Sequence, residues 1–161
     1  MVRTEIRLFL KNQPGELGKL ALLLSENSIN IDAMTIQDAS DYVRELFKAR
    51  GRSIRRIASA ANYNSMQKDS VEFALIRMIV DNTDKALGLL TENEYTFDVV
   101  PVLAMELDDK PGTLARLAAL FGEEGVNIQY VYGSGMAGSS KALYVFCPED
   151  MDLAASVLKK L

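Results

Sequence analysis

The chain repeats itself. Residues 12–31 align without a gap over residues 109–128, an offset of 97, and nine of the 20 positions are identical. Pro14 meets Pro111, Gly15 meets Gly112, Leu17 meets Leu114, Leu20 meets Leu117 and Ala21 meets Ala118. The matches continue through Leu23 and Leu120, Glu26 and Glu123, Asn30 and Asn127, and Ile31 and Ile128. Two unrelated amphipathic helices would share leucines. They would not also share Pro-Gly before the helix and Asn-Ile after it. A second, weaker match lays residues 73–81 over 141–149, an offset of 68. The fall in offset leaves 29 extra residues between the matched blocks of the first copy. Whatever one copy folds into, the other must also fold into, so the problem shrinks to one unit of about 75 residues used twice.

Periodicity assigns the elements of that unit. Residues 4–10 alternate and read as a strand. Residues 16–26 place Leu17, Leu20, Ala21 and Leu24 on one face and read as a helix. Residues 28–38 read as a strand and 72–80 as a continuous apolar strand in which Arg77 is the one charge. Residues 84–93 read as a helix capped by Asp81 or Thr83, and 95–100 as a short strand. The second copy gives a strand at 102–107, a helix at 113–123, strands at 126–132 and 141–146, and a helix at 150–160. It has no counterpart of strand 95–100. The order βαββαβ is the split-βαβ, ferredoxin-like plan of an α+β fold, with an antiparallel sheet covered on one face by two helices. Pro101 is expected to separate the last strand of one unit from the first of the next. The units would be fused with almost no linker, at 1–100 and 101–161. Pairing through a sheet edge or face would help two such small units bury surface. The edge left by the absent strand is expected to be filled by a second chain or by the first unit.

Composition removes several function classes. The chain has 161 residues, 48% apolar and 25% charged, which is the balance of a globular protein and excludes disorder as its main state. Its longest apolar stretches, such as 20–24, fall far short of the roughly 18 residues of a membrane span. Residues 1–11 mix charged and apolar side chains, so no secretory leader is expected there. Cys147 is the single cysteine and excludes an intramolecular disulfide. Histidine is absent, which removes the commonest general base, the usual triads and most zinc sites. Met34, Met66, Met78, Met105, Met136 and Met151 are scattered and suit core filling. Asp108–Asp109 and Glu123–Glu124 lack a spacing that argues for metal or acid–base work. A cytoplasmic protein with no cofactor and no metal is expected.

Chemistry concentrates in the duplicated turn. Asn12-Gln13-Pro14-Gly15-Glu16-Leu17 joins a strand to a helix, and Asp109-Lys110-Pro111-Gly112-Thr113-Leu114 does the same in the second copy. Pro suits a helix start because it needs no donor there, and Gly lets another group approach the backbone. The helix N-terminus offers unpaired N–H groups that suit a carboxylate or phosphate. Asn or Asp just before it can accept from an ammonium. A zwitterion matches both. The plainer alternative is a Pro-Gly turn with an Asn cap. Asn30 and Asn127 can likewise be read as turn residues where helix returns to strand.

The repeated pattern of strand, [Asn/Asp]-x-Pro-Gly-x-Leu, helix, [Gly/Ser]-[Ile/Val]-Asn-Ile and strand resembles the ACT domain. That regulatory module is found in phosphoglycerate dehydrogenase, aspartate kinase and the acetolactate synthase small subunit. The likeness is greatest to stand-alone bacterial proteins made of two such domains. It implies a non-enzymatic sensor, a homodimer that binds an amino acid at interfaces between ACT domains and so regulates amino-acid metabolism. The ligand contacts it implies are Asn12, Pro14, Gly15, Glu16 and Leu17, and Asp109, Pro111, Gly112, Thr113 and Leu114. Asn30, Ile31, Asn127 and Ile128 would flank the site from the second strand. Asp109 departs from the first copy's Asn. An anion there would repel a ligand carboxylate and favour its amine, so the two sites are expected to be inequivalent.

Residues 133–140 form a glycine-rich stretch between strands. It does not precede a helix and lacks a Lys-Ser/Thr ending, so it reads as a hairpin loop or a lid over the ligand, and not as a P-loop. The extra segment is basic. Residues 43–70 carry a net +5 in a chain whose total is −4. Val43, Leu46, Phe47, Ile54, Ile57, Ala58 and Ala61 follow helical spacing opposite Arg44, Arg50, Arg52, Arg55 and Arg56. This basic helical insert, about 41–70, reads as a helix packed on the protein or a surface for an acidic partner protein. Nucleic acid contact is a weaker reading and a membrane surface the weakest. The alternative function is therefore an interaction or subunit-assembly module working through the insert, with vestigial ligand sites. No nucleophile–base pair supports an enzyme, although the fold hosts enzymes elsewhere.

Overall fold

The computed structural model describes residues 1–38, 73–135 and 138–159. The basic helical insert and its arginines lie outside the described residues. Among the described residues, six strands and four helices run in the order β1 (Val2–Lys11), α1 (Glu16–Glu26), β2 (Ile31–Asp38), β3 (Phe73–Val80), α2 (Thr83–Glu92), β4 (Phe97–Asp108), α3 (Thr113–Glu123), β5 (Ile128–Gly135), β6 (Lys141–Pro148) and α4 (Met151–Leu158). The α+β, ferredoxin-like plan holds in both copies. All strands form one antiparallel sheet in the order β2-β3-β1-β4-β6-β5.

The repeat is reproduced atom by atom at its turns. Gly15 and Gly112 both precede their helices at φ 91°. Ser28 and Gly125, again 97 apart, both have positive φ. The N–H of Asp81 donates to the Asn30 carbonyl at 3.1 Å, and that of Glu149 donates to the Asn127 carbonyl at 2.9 Å. Asn82 caps α2 by accepting from the Lys85 N–H, and Asp150 caps α4 by accepting from the Leu153 N–H. Neither Asp81 nor Thr83 is the cap of α2. Asn82 is favoured because its side chain stands one residue before the first helical turn.

The expected break at Pro101 does not occur. Residues 97–108 form one strand that belongs to both copies. Met1 and Ala104 exchange both backbone hydrogen bonds, at 3.1 and 2.9 Å. Counting along the ladder from that pair, Pro101 opposite Thr4 is a pair without hydrogen bonds. Its missing N–H faces away from β1, and pairing with β6 begins only at Leu103. The strand therefore tolerates the proline. A second difference concerns the glycine-rich stretch. Gly133 to Gly135 belong to β5 and pair with β6, opposite Tyr144 to Ala142. A Cβ on Gly133 would stand 3.1 Å from the Tyr144 ring, so the glycine lets that aromatic ring lie against the strand.

Three apolar layers hold the described residues together. Ile6, Leu8, Ile76 and Met78 pack with Leu20 and Leu24 of α1 and Ala86 and Leu90 of α2. Leu103 and Phe146 pack with Leu117 and Phe121 of α3 and Ala154 and Val157 of α4. The third layer joins Ala33 and Ile79 of the first copy to Val102, Ala104, Val145 and Cys147, with Tyr130 and Tyr132 against it. These residues lie on the faces that the helices leave bare. The sheet thus folds across its middle, turns its two bare faces onto each other and brings its edge strands β2 and β5 into contact. Edge fusion and face packing are both used to bury the surface that a single small unit would leave wet.

Candidate functional site

The two Pro-Gly turns open α1 and α3 in a way that the other two helices do not share. Gly15 and Gly112 sit at the N-cap position in the left-handed region, and no side chain caps either helix. The chain there closes on itself through the backbone. The N–H of Glu16 donates to the Gln13 carbonyl at 3.3 Å, and that of Thr113 donates to the Lys110 carbonyl at 3.2 Å. The first helical bonds run from Lys19 to Gly15 and from Arg116 to Gly112, both at 3.0 Å. The N–H groups between them have no side-chain acceptor. Two helices with caps and two without, arranged by the repeat, leave donors and positive dipole ends at the two Pro-Gly turns.

Asn12 does not act as a cap. Its Nδ2 donates to the Asp38 carboxylate at 3.3 Å, across from the end of β2. The same pair in the second copy is Asp109 and Gly135. The Asp109 Oδ2 stands 3.8 Å from where a Cβ on Gly135 would be. Each turn therefore has one carboxylate in this place, on the second strand in the first copy and on the turn in the second. Asp109 on its own suggests inequivalent sites. The pairing shows that the exchange of Asn for Asp is matched by an exchange of Asp for Gly.

Thr113 and its counterpart Glu16 differ in their bonding. Its Oγ1 is buried and has no hydrogen-bond partner. Glu16 at the equivalent position is held by Lys19 at 2.5 Å, a contact that raises the lysine pKa. Beside the second turn, Lys141 at 3.0 Å and Lys110 at 3.6 Å flank Asp108, and the Lys141 hydrogen bond holds its carboxyl below the usual range. Asn12, Pro14, Gly15, Asp109, Pro111, Gly112 and Leu114 are exposed, and Glu16, Leu17 and Thr113 are half-buried.

Asn30, Ile31, Asn127 and Ile128 are not beside the turn of their own copy. Leu10 and Asp38 both align with Ala74, whereas Ile31 aligns with Val80. Asn12 and Asn30 thus lie at opposite ends of the strands, about 25 Å apart. Asn30 donates its Nδ2 to Asp32 at 3.1 Å, and Asn127 donates its Nδ2 to Glu149 at 3.0 Å.

Sequence reading missed a second cluster, on the folded inner face. Glu5 is fully buried. Its carboxylate accepts from the Tyr130 hydroxyl at 2.5 Å and the Tyr132 hydroxyl at 2.8 Å, and pairs with the Arg7 Nε at 3.0 Å. Arg7 also donates to the Tyr130 hydroxyl. Burial works against the Arg7 charge, but its bonds to Glu5 and Tyr130 leave its pKa raised. Burial pushes both tyrosines up, and the nearby Glu5 adds to this. Glu5 and Arg7 alternate on one face of β1, but nothing in the sequence indicates that the other half of the sheet covers that face. Among the described residues no group of three or more Cys, Asp or Glu could hold a metal, and no helix is long and apolar enough to cross a membrane.

Solved structures share this architecture. The crystal structure of protein BT0572 from Bacteroides thetaiotaomicron is 27% identical with a TM-score of 0.72, covering 99% of this chain and 88% of that one. The ligand-free regulatory subunit of aspartate kinase from Thermus thermophilus is 15% identical with a TM-score of 0.57, covering 99% of this chain and 91% of that one. The corresponding subunit from Thermus flavus is 15% identical with a TM-score of 0.52, covering 99% and 94%. Likenesses this remote in sequence concern the fold alone. A search of curated proteins finds no match. The family model of the ACT domain pair matches residues 43–161, and with most of its length so matched the chain belongs to the ACT domain pair family.

Proposed function

We propose that this chain is a non-catalytic sensor that binds a free amino acid at the Pro-Gly turns and passes its occupancy to an enzyme of amino-acid metabolism. The observation that carries the reading is the contrast among the helices. Asn82 and Asp150 cap α2 and α4, whereas α1 and α3 begin at Gly15 and Gly112 with no side-chain acceptor. A ligand carboxylate would accept from those donors. Asp38 in one copy and Asp109 in the other would accept from its ammonium. Asn12, Pro14, Glu16, Leu17, Pro111, Thr113 and Leu114 would complete the two sites. Residues 1–100 and 101–161 are read as the two ACT domains, with their boundary inside β4.

A homodimer is part of the same reading. Met34 and Val131 occupy one repeat position on the edge strands and are 37% and 43% exposed, so each edge offers an apolar side chain to a second copy. Regulation would then be linkage: ligand favours one packing of the domains, and a partner reads that packing. Calorimetric titration with the twenty amino acids tests the proposal, repeated on Asp109→Asn. Wild type should bind one amino acid or a chemically related pair. Asp109→Asn should lose about tenfold in affinity at one site, which is 1.4 kcal/mol. Binding that ignores Asp109 would move the second site elsewhere.

A further inference from the structure

We propose that Arg77 anchors a small organic carboxylate between the two halves of the folded sheet, at a site separate from the Pro-Gly turns. Arg77 and Arg7 are directly opposed across the β1–β3 ladder. Two like charges so placed on one face repel each other. Arg7 is engaged, by Glu5, by the Tyr130 hydroxyl and by the Cys147 sulfur at 3.5 Å. Arg77 is not. Among the described residues it has no ion pair and no hydrogen bond, and its Nε is sealed from solvent without an acceptor. Its guanidinium lies over the Tyr130 ring, 4.5 Å from the centroid. Buried donors in folded chains are nearly always satisfied, so an unmet guanidinium edge is a reason to look for an anion.

The surrounding groups do not supply one. Both Glu5 oxygens are occupied by Tyr130, Tyr132 and Arg7. Asp98 on β4 lies across from Arg7, is exposed, and accepts from the Val99 N–H at 2.8 Å. Thr35 on β2 lies across from Arg77 and is neutral. The cluster of Arg7, Arg77 and Glu5 therefore keeps one positive charge in excess. The repeat shows that this is not a requirement of the fold. The counterparts of Glu5, Arg7 and Arg77 in the second copy are Val102, Ala104 and Val145, all buried and apolar. A planar carboxylate fits the fork of a guanidinium in bidentate fashion. Seating one against Nε requires the Tyr130 ring to shift, and Tyr130 comes from the other half of the sheet. Occupancy is thereby tied to how the two halves pack.

The test uses acetate as the probe, with chloride at matched ionic strength as the reference. Arginine Nε–Hε resonances are followed by nitrogen–proton NMR, and thermal unfolding is followed in parallel. One resonance, identified by its loss in Arg77→Met, should move with acetate and saturate. Near ten times the dissociation constant the midpoint should rise by about 3–6 °C more in acetate than in chloride. Arg77→Met should abolish the differential rise. Arg77→Lys keeps the charge but not the fork and should lose saturable binding as well. A resonance that does not move or never saturates overturns the proposal, as does an acetate effect that persists in Arg77→Met or is equalled by chloride. If Arg77→Met does not fold, the loss of the same resonance in Arg77→Lys identifies it, and the wild-type titration then decides the matter. Failure here leaves amino-acid binding at the turns untouched, since those donors are backbone groups of α1 and α3.

Discussion

Thr4 lies directly opposite Pro101 in the β1–β4 ladder, and the two residues are the same position of the sequence repeat. No other pair in that ladder joins a residue to its own counterpart. A local twofold axis therefore passes between Thr4 and Pro101, relating β2-β3-β1 to β5-β6-β4. The axis explains why one strand can serve both copies: residues 97–103 of β4 complete the first sheet while its remainder begins the second. It also shows where symmetry fails. Glu5, next to the axis, is charged, and its counterpart Val102 is not.

Glu5 should hold the two halves together. Replacing it with Ala leaves Arg7 facing a partly buried, unpaired site and strands two tyrosine hydroxyls. The expected loss is about 3 kcal/mol. Urea unfolding of Glu5→Ala measures it. A loss below 1 kcal/mol would mean that the network is incidental to the packing.

The same network predicts how stability depends on high pH. Burial, foremost, holds the Tyr130 and Tyr132 phenols above their ordinary range. In the unfolded chain they ionise near pH 10. Their contribution is therefore fully present below about pH 10 and is lost as pH rises above it, because the unfolded state then releases protons that the folded state keeps. Tyr130 and Tyr132 should stay protonated in the folded protein at pH 11, so that Tyr130→Phe and Tyr132→Phe lower the tyrosinate absorbance of the unfolded protein but not that of the folded one. Full ionisation before unfolding would contradict the buried arrangement.

Ser28 and Gly125 test the repeat through the backbone. Ser28 has φ 53° where its counterpart Gly125 has φ 75°, and nothing lies within 4 Å of a Cβ at Gly125. Only backbone strain separates the two residues. Gly125→Ala should cost about 1 kcal/mol, and Ser28→Gly should be neutral or stabilise by up to about 1 kcal/mol. Thermal unfolding of the pair checks both signs.

Much of this was legible in the chain itself. The ungapped block from Asn12 to Ile31 carried turn, helix and the return to strand together, so the ferredoxin-like order followed from period and punctuation. The Pro-Gly turns were legible for the same reason, since Gly at positive φ before a helix is a local property. The joining of the copies was not. Pro101 looks like a break, and only the phase of the ladder shows that its missing N–H faces away from β1. The resemblance alone sets Asn30 beside the site, as a second-strand residue, yet the helix carries the chain to the other end of the sheet. Glu5 and Arg7 sit at alternating positions that a solvated face would also show, and the groups that cover them, Tyr130, Tyr132 and Cys147, lie more than 100 residues away in sequence. Arg77 stands alone in an apolar strand, and the ring it meets comes from the other copy.

Thr113→Val separates a ligand group from a structural one. The hydroxyl is buried without a partner, so an isosteric apolar side chain should raise ligand-free stability by about 1 kcal/mol. If the hydroxyl contacts the amino acid, affinity at the second turn should fall about tenfold in the same variant. Lowered ligand-free stability would show that the hydroxyl already has a partner, and unchanged affinity would remove Thr113 from the site.

The most direct test of the account is thermal unfolding against each of the twenty amino acids at millimolar concentration. A ligand at 100 times its dissociation constant adds about 2.7 kcal/mol to stability. At this chain length each kcal/mol moves the midpoint by about 2–4 °C. The account predicts a rise of several degrees for one amino acid or a chemically related pair, with no response to the corresponding compounds lacking the amine or the carboxylate. A midpoint that stays fixed with all twenty would contradict amino-acid sensing by this ACT domain pair.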